Sequence, residues 1–308
     1  MINRNKQQSF TLIELLVVIV MIGILAGVIM ISASSSIDKA NFAKAQTFSN
    51  TVQNELLSNL VSEWTFDEGT NQAINRVATN DDVKDSWGNN HGILTGTLIL
   101  KSEQNCVTGK CLESDGLTNN CFSVGQDAYA NDLAIQGNIT IGLWFHSHLA
   151  PSNGSSLISQ RVARDTYITH GRGITIINDN LRLWSRDKDH IWQEINESFQ
   201  HNIWNYVVLI QNGNMLTAYL NGKKVTAKNM NGNMSGSYYG YFRIGNYTNS
   251  NYLYDGLIDD VRIYNTALSS AQIKQNYITG LNSMLSNGNI SKEGYNERIN
   301  NLAYNNNE

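Results

Sequence analysis

The sequence predicts a long N-terminal α-helix, a transmembrane segment in its first half, followed by an all-β antiparallel jelly-roll sandwich and a short C-terminal helical tail. The helix is predicted by the segment 10–31, which is apolar except for one charged residue, Glu14, and contains no proline. The sandwich is predicted by turn residues that recur every several positions from Trp64 to about Tyr277, with no amphipathic helix between the short apolar runs.

The composition limits the classes of function. The chain has 308 residues, of which 41% are hydrophobic, so it can bury one large domain in addition to the N-terminal segment. Its formal net charge of −4 gives no electrostatic reason to expect a nucleic-acid partner. The sequence contains no Gly-x-Ser-x-Gly elbow, phosphate-binding loop or His-Glu-x-x-His helix, and we expect no enzymatic activity.

The segment 10–31 is long enough to cross a membrane. At about 1.5 Å of rise per residue it spans roughly 33 Å, close to the hydrocarbon thickness of a bilayer. Arg4 and Lys6 precede it, which keeps the N-terminus cytoplasmic and places the rest of the chain outside. The alternative is a secretory signal peptide cleaved near the small residues 32–36. Glu14 argues against it, because a carboxylate at the bilayer centre costs about 2.5 to 3.5 kcal/mol and needs a cationic partner.

The helical pattern continues beyond the apolar segment. Apolar residues recur at spacings of three to five across 32–62 without Gly or Pro, which predicts one rod over 10–62 with an apolar stripe on its second half. Gly23 and Gly27 form a small-xxx-small pair that allows another helix to approach closely. The simpler explanation is that membrane helices often contain Gly.

Between Trp64 and Tyr277 the pattern is typical of strands. Asn178–Asn180, Gln211–Asn214 and Asn221–Lys223 are interpreted as hairpin turns, since Asn, Asp and Gly tolerate positive φ. After the strands, Ser269 to Leu285 is predicted to be helical, capped by Ser269 or Ser270, and Ser291 to Ala303 to form a second short helix. The predicted strands are Ile139–His148, Ile174–Asn178, Leu181–Arg186, Tyr206–Gln211, Leu216–Asn221, Tyr241–Ile244 and Leu257–Tyr264.

Three cysteines in an exported chain allow one disulfide and leave one thiol. Cys106 and Cys111 are separated by four residues that include Gly109, so we predict that they pair. Cys121 is then a buried, inert thiol.

The N-terminal residues resemble the type IV pilin and pseudopilin family through the pattern Phe10-Thr11-Leu12-Ile13-Glu14. The resemblance implies that a prepilin peptidase cuts between Ser9 and Phe10 and methylates the new amine of Phe10, and that Glu14 pairs with such an amine when subunits assemble. The family usually has Gly at the position of Ser9. Many major pilins carry a Pro within this helix, which this chain lacks, and this favours a pseudopilin or minor pilin.

The region 63–278 resembles the laminin-G-like members of the concanavalin A-like jelly-roll superfamily. The supporting segments are Trp64–Gly69, Asp85–Gly92, Gly109–Gly116, Ile139–Phe145, Trp204–Val208, Tyr219–Lys223 and Tyr254–Tyr264. This resemblance implies a structural calcium ion at Glu68, Asp85 and Asp260, with Asn89 or backbone carbonyls completing the shell. The alternative is that these acidic residues cap loops.

Other candidate site residues have simpler explanations. His146 and His148 alternate on one predicted strand and so share a face, but no third metal ligand is evident. Trp144, Trp184, Trp192 and Trp204 are candidates for a sugar-stacking platform, although core packing explains most of them. Retaining glycosidases need two carboxylates about 5 Å apart. Glu194 and Glu197 flank a turn-like Asn196, and adjacent Asp259 and Asp260 are predicted to point to opposite faces.

These observations predict a leader (1–9), a filament-core helix (10–31), its amphipathic continuation (32–62), a jelly roll (63–278) and a tail (279–308). The expected protein is a minor pilin or pseudopilin in the bacterial cell membrane, and then in a filament outside. Its expected partners are other pilin subunits, the prepilin peptidase and the inner membrane. The alternative function is an adhesin whose head recognises an extracellular glycan or protein.

Overall fold

The computed structural model describes residues 56–69, 75–116, 120–124, 133–135, 137–148, 154–162, 171–186, 191–231, 240–246 and 252–303. All of them lie in one compact unit that runs from Asn54 to Glu308. The predicted leader, the helix 10–31 and the residues Ser9, Phe10, Glu14, Gly23 and Gly27 lie outside this described part. Within it, no helix has the length and apolar character needed to cross a membrane.

Two antiparallel sheets form the body of this unit, as the sequence predicted. In the described part of the chain the larger sheet has the order β14-β13-β12-β7-β16-β5-β4-β2, with β1 paired to β16, and the smaller has the order β11-β10-β9-β8-β15-β6-β3. The strands of the larger sheet are β1 (Leu60–Trp64), β2 (Arg76–Val77), β4 (Ile99–Lys101), β5 (Cys111–Asp115), β7 (Ile139–Ser147), β12 (Asn205–Asn212), β13 (Met215–Leu220), β14 (Lys223–Asn229) and β16 (Asp255–Tyr264). Those of the smaller are β3 (Ile93–Thr95), β6 (Cys121–Val124), β8 (Ser155–Val162), β9 (Arg172–Ile177), β10 (Asn180–Arg186), β11 (Trp192–Ser198) and β15 (Gly240–Ile244).

The core lies between the two sheets. On the central strand β7, Ile141, Leu143 and Phe145 are fully buried in the hydrophobic core. Because side chains alternate across a strand, Trp144 and His146 lie on the opposite face, which we call the outer face of the larger sheet.

The turn chemistry predicted from sequence is confirmed at two hairpins. Asn178 (φ 50°) and Asp179 (φ 61°) connect β9 to β10 with positive φ values. Asn221 (φ 50°) and Gly222 (φ 76°) do the same between β13 and β14. These values suit the twist of two-residue hairpin loops, which explains why Asn and Asp stand there.

Two helices follow the last strand: α1 (Ser270–Ser286) and α2 (Lys292–Ala303). Ser269 caps α1 as predicted: its backbone N–H donates to Gln272 Oε1 (2.8 Å), and its side chain accepts from Gln272 N (3.3 Å). α1 packs on the outer face, where Tyr277 stacks on Trp144 with ring centroids 5.4 Å apart and planes 18° apart. The predicted boundary at residue 278 therefore divides a helix that packs on the sandwich.

The predicted continuation of the N-terminal helix to Ser62 is wrong at its end. Residues 56–58 are helical, but Leu60, Val61 and Ser62 belong to β1 and pair with the last strand, β16. A spacing of four between Leu56 and Leu60 suits a helix, but residue 60 also begins a strand whose alternate side chains are buried. Pairing with β16 satisfies the backbone hydrogen-bonding groups of this segment, which therefore forms a strand and not a helix.

The close approach of α1 to the sheet predicts a cost for adding a methyl group at Gly280. A Cβ built there would lie 2.6 Å from Trp144 Cε2, which is too close. We expect Gly280→Ala to lower the free energy of unfolding by about 1 to 3 kcal/mol, because overpacking outweighs the better helix propensity of Ala. Urea denaturation followed by tryptophan fluorescence measures it. Gly137→Ala, where a Cβ meets nothing within 4 Å, is the control; equal effects of both variants would contradict the prediction.

Candidate functional site

A cleft of about 520 Å³ lies on the outer face of the larger sheet, beside the C-terminal helices. We call it the outer-face cleft. Its floor is contributed by neighbouring strands, since His146 of β7 is opposite Leu257 of β16, and Leu257 is opposite Glu113 of β5. The loop before β12 contributes Trp204, and the segment from the end of α1 into α2 contributes Asn289 and Arg298.

Histidines and an indole lie together in this cleft. The rings of His146 and His148 are 5.6 Å apart, and His146 lies 5.8 Å from Trp204. His148 Nδ1 is 2.9 Å from Asp255 Oδ1. Burial, and then the neighbouring His148, lower the pKa of His146. The prediction that both histidines share a face is therefore confirmed.

The charged groups of the cleft are held by specific partners. Lys101 Nζ lies 2.8 Å from Glu113 Oε2. Arg298, which lines the cleft, donates from Nη1 to the backbone oxygen of Trp204 (2.8 Å) and also forms a hydrogen bond with the side chain of Tyr277. The local sequence did not indicate this arrangement, because the residues are distant in the chain and Arg298 reaches the cleft only when α2 packs.

The Cys106–Cys111 disulfide is present, with a Cα–Cα distance of 5.4 Å, and its loop directly follows Gln104 and Asn105, which form one wall of the cleft. Trp204 Nε1 donates to Asn105 O (3.0 Å). Asn289 Nδ2 donates to Cys106 O (2.6 Å) and to Glu103 O (2.7 Å). The loop is thereby joined to both β12 and the end of α1.

The opposite side of the disulfide loop rests on a buried carboxylate. Asp259 Oδ2 accepts from Val107 N (2.8 Å) and Thr108 N (3.0 Å), and Asp259 Oδ1 accepts from Asp260 N (2.7 Å). Asp260 has a positive φ of 47°, at an irregularity in the pairing of β16. The regular alternation that put Asp259 and Asp260 on opposite faces is therefore not maintained here.

Cys121 is free and buried, as predicted. Burial raises the pKa of its thiol, which disfavours the reactive thiolate.

The structure separates the four residues predicted to hold calcium. Asp85 accepts from four backbone N–H groups: Oδ1 from Glu63 (3.0 Å), Trp87 (3.1 Å) and Gly88 (2.9 Å), and Oδ2 from Asn90 (3.0 Å). This is the loop-capping arrangement that the sequence left open as the alternative. Asn89 is exposed.

Glu68 and Asp260, in contrast, interact electrostatically. Burial raises the pKa of Asp260, and the charge of Glu68 contributes to the same direction. Glu68 Oε1 accepts from Thr65 Oγ1 (2.9 Å), whereas the buried Oε2 has no hydrogen-bond partner in the described ranges. Those ranges contain no group of three or more His, Cys, Asp or Glu side chains arranged to hold a metal ion. Calcium stays a prediction, and its best-placed carboxylates are Glu68 and Asp260.

The four tryptophans do not form one platform. Tyr277 covers Trp144, while Trp184 and Trp204 are buried. Trp192 is half-buried, with the guanidinium of Arg186 4.3 Å from its ring centroid.

Glu194 and Glu197 do not flank a turn, because both lie on β11. The turn predicted at Asn196 is therefore wrong. Residues three apart on a strand point to opposite faces, so these two carboxylates are not placed for joint acid and nucleophile chemistry. Glu194 forms an ion pair with Arg182 of β10.

Comparison with protein families agrees with both resemblances. Residues 123–274 match the concanavalin A-like lectin/glucanases superfamily (Laminin_G_3), and residues 4–30 match the prokaryotic N-terminal methylation motif. The chain therefore joins a pilin-like N-terminal segment to a domain of the concanavalin A-like superfamily. Both parts point to a structural or binding protein. No curated protein matches the chain.

Solved structures share the fold of the sandwich. The binding domain of Paraclostridial Mosquitocidal Protein 1 is 18% identical with a TM-score of 0.54, covering 74% of this chain and 53% of that one. Domain 4 of AbnA, a GH43 arabinanase from Geobacillus stearothermophilus in complex with arabinotriose, is 20% identical with a TM-score of 0.53, covering 70% and 97%. The receptor binding domain of botulinum neurotoxin mosaic serotype C/D is 14% identical with a TM-score of 0.55, covering 73% and 52%. The chain thus spans about half of the two toxin structures.

The lowered pKa of His146 predicts a pH effect on stability. The neutral imidazole is favoured in the folded state, so stability is lost as the pH falls through the usual value of 6.5. We expect His146→Gln to lose less stability than the wild type between about pH 7.5 and about pH 5. Unfolding midpoints at the two pH values measure the difference. The prediction is contradicted if the variant shows the same loss as the wild type.

Proposed function

We propose that this protein is a minor pilin or pseudopilin, which packs its N-terminal helix into a filament and displays the sandwich as an extracellular head. The observation that carries the proposal is the match of residues 4–30 to the prokaryotic N-terminal methylation motif. Within that segment Phe10-Thr11-Leu12-Ile13-Glu14 reproduces the pilin pattern. The protein would first lie in the cell membrane with its N-terminus cytoplasmic, and would then join the filament.

The chemistry of assembly follows from two residues. Cleavage after Ser9 creates an amine at Phe10, and this cation is the partner that Glu14 needs in an apolar environment. A pair of opposite charges in a low-dielectric surrounding is strongly favoured over either charge alone. The partners are therefore the prepilin peptidase, the inner membrane and other pilin subunits. Gly23 and Gly27 would allow close helix packing in the same filament.

Mass spectrometry of the mature protein tests the processing step. We expect an N-terminus at methylated Phe10. Because Ser9 stands where the family usually has Gly, Ser9→Gly should increase the processed fraction. Glu14→Gln should leave the cleaved protein in the membrane and remove it from sheared filaments. A mature N-terminus near residues 32–36 would instead indicate a signal peptide and contradict the proposal.

The second candidate function is an adhesin, in which the head recognises a glycan or protein and the filament delivers it. A specific observation favours it: the outer-face cleft, at about 520 Å³, has the size of known ligand sites. The similar toxin and arabinanase domains, one with arabinotriose bound, support a binding role only through their shared fold. A glycan array probed with the full chain in detergent tests it. A silent array would leave the structural role or a protein ligand.

We also propose that a structural calcium ion binds at Glu68 and Asp260, where its charge would offset two carboxylates that interact electrostatically. Calcium should raise the unfolding temperature of the wild type, and a chelator should reverse the rise. Glu68→Gln should abolish this response. Asp85→Asn should lower the unfolding temperature equally with and without calcium, because an amide nitrogen, which cannot accept a backbone N–H, replaces one carboxylate oxygen. An unfolding temperature that ignores both calcium and chelator would rule the site out.

A further inference from the structure

We propose that the outer-face cleft binds an acidic saccharide, a sugar that carries a carboxylate. The inference rests on the recognition role proposed above and names its site and its ligand class. Three observations carry it: most of the lining residues lie outside the family-matched range, the lining has an excess positive charge although the whole chain is negative, and the position of the cleft on a sheet face does not suit strand-like peptide binding.

Most of the cleft lining lies outside the range of the superfamily match. That match covers residues 123–274. The lining residues Lys101, Gln104, Asn105 and Glu113 precede it, whereas Met284, Asn289 and Arg298 follow it. These two sets of residues meet only because α1 and α2 pack back over the outer face. The cleft is therefore assembled largely from segments that the superfamily match does not cover.

The charge of the cleft favours an anion. The whole chain has a net charge of −4, yet the lining contains Lys101 and Arg298 against a single carboxylate, Glu113. Lys101 already pairs with Glu113, so Arg298 supplies the excess positive charge. A guanidinium presents a planar set of N–H donors that matches a carboxylate, and its bond to Trp204 O holds it in place. This fixed donor group selects a carboxylate.

The position of the cleft favours a saccharide over an extended peptide. Strand addition requires an exposed sheet edge. The floor strands β4, β5, β16 and β7 instead pair with one another in the middle of the sheet. Recognition must therefore use side chains, and the amides of Gln104, Asn105 and Asn202 offer both donors and acceptors to hydroxyl groups. Ile203 and Ile290, which are partly exposed, add apolar surface for the carbon face of a sugar ring.

The cleft wall formed by Gln104 and Asn105 is already ordered, because the adjoining disulfide loop is fixed. The disulfide closes the loop 106–111, while Asp259 and Asn289 hold it from opposite sides. A ligand that binds to an already ordered wall does not pay the entropic cost of ordering the protein, and this increases its affinity.

The test is a glycan array probed with the detergent-solubilised full chain, with saccharides that end in uronic or sialic acid beside their neutral counterparts and an oligoglutamate peptide. We expect binding of the acidic saccharides alone. Arg298→Gln should weaken it about 10-fold or more, since a hydrogen bond to a charged group is lost. Lys101→Gln should also weaken it, because Glu113 then repels the ligand. Lys228→Gln, on exposed β14, is the matched control and should bind like the wild type.

The outcomes separate this inference from the recognition role on which it rests. Equal binding of neutral and acidic saccharides, or wild-type binding by both Arg298→Gln and Lys101→Gln, would overturn the cleft assignment and leave glycan recognition standing. Binding of oligoglutamate on an otherwise silent array would overturn the saccharide class. An array silent throughout would remove glycan recognition itself. Because Arg298 also holds Trp204, Lys101→Gln decides the matter if Arg298→Gln unfolds.

Discussion

The packing of Trp144 against α1 determines how the C-terminal part of the structure is arranged. Strand alternation puts this indole on the outer face, away from the core, yet it is fully buried. Tyr277 covers it by stacking, and the missing side chain of Gly280 lets the helix come close. Such aromatic stacking contributes about 0.5 to 1.5 kcal/mol beyond the burial of area. Once α1 is fixed in this way, the segment after it places Asn289 against the disulfide loop and leads into α2, which carries Arg298.

The disulfide loop and the buried Asp259 depend on each other. A buried carboxylate is costly unless it is hydrogen-bonded, and Asp259 obtains two of its three backbone N–H donors from the loop. The third comes from Asp260, at the irregular point of β16. Displacing the disulfide loop would leave the Asp259 carboxylate without the two donors that the loop supplies. It would also break the hydrogen bond that Asn289 donates to the loop. The loop beside the outer-face cleft is thus held by a buried carboxylate of β16 as well as by the disulfide.

The parts predicted from sequence were those with a local cause. The hairpins at Asn178-Asp179 and Asn221-Gly222 were found because positive φ limits which residues can stand there. The cap at Ser269 was found because the matching Gln272 lies three residues later. The short strands β2 to β6 were not predicted, since runs of two to five residues show too little alternation.

The errors arose where tertiary contacts decide. The first three residues of β1, Leu60 to Ser62, were predicted to be helical, and only the pairing of β1 with β16 makes them part of a strand. β11 was not predicted, because Asn196 was interpreted as a turn residue, but pairing with β10 overrides this preference. The cleft shows the same limit. Strand alternation correctly predicted that its two histidines lie on one face. Lys101 and Arg298 join them through tertiary packing, which the residues next to them in the sequence do not indicate. A site that is assembled from distant segments can therefore be recognised in the fold but not in the local sequence pattern. For this reason the proposed filament role rests on a sequence motif, whereas the proposed ligand rests on the geometry of the cleft.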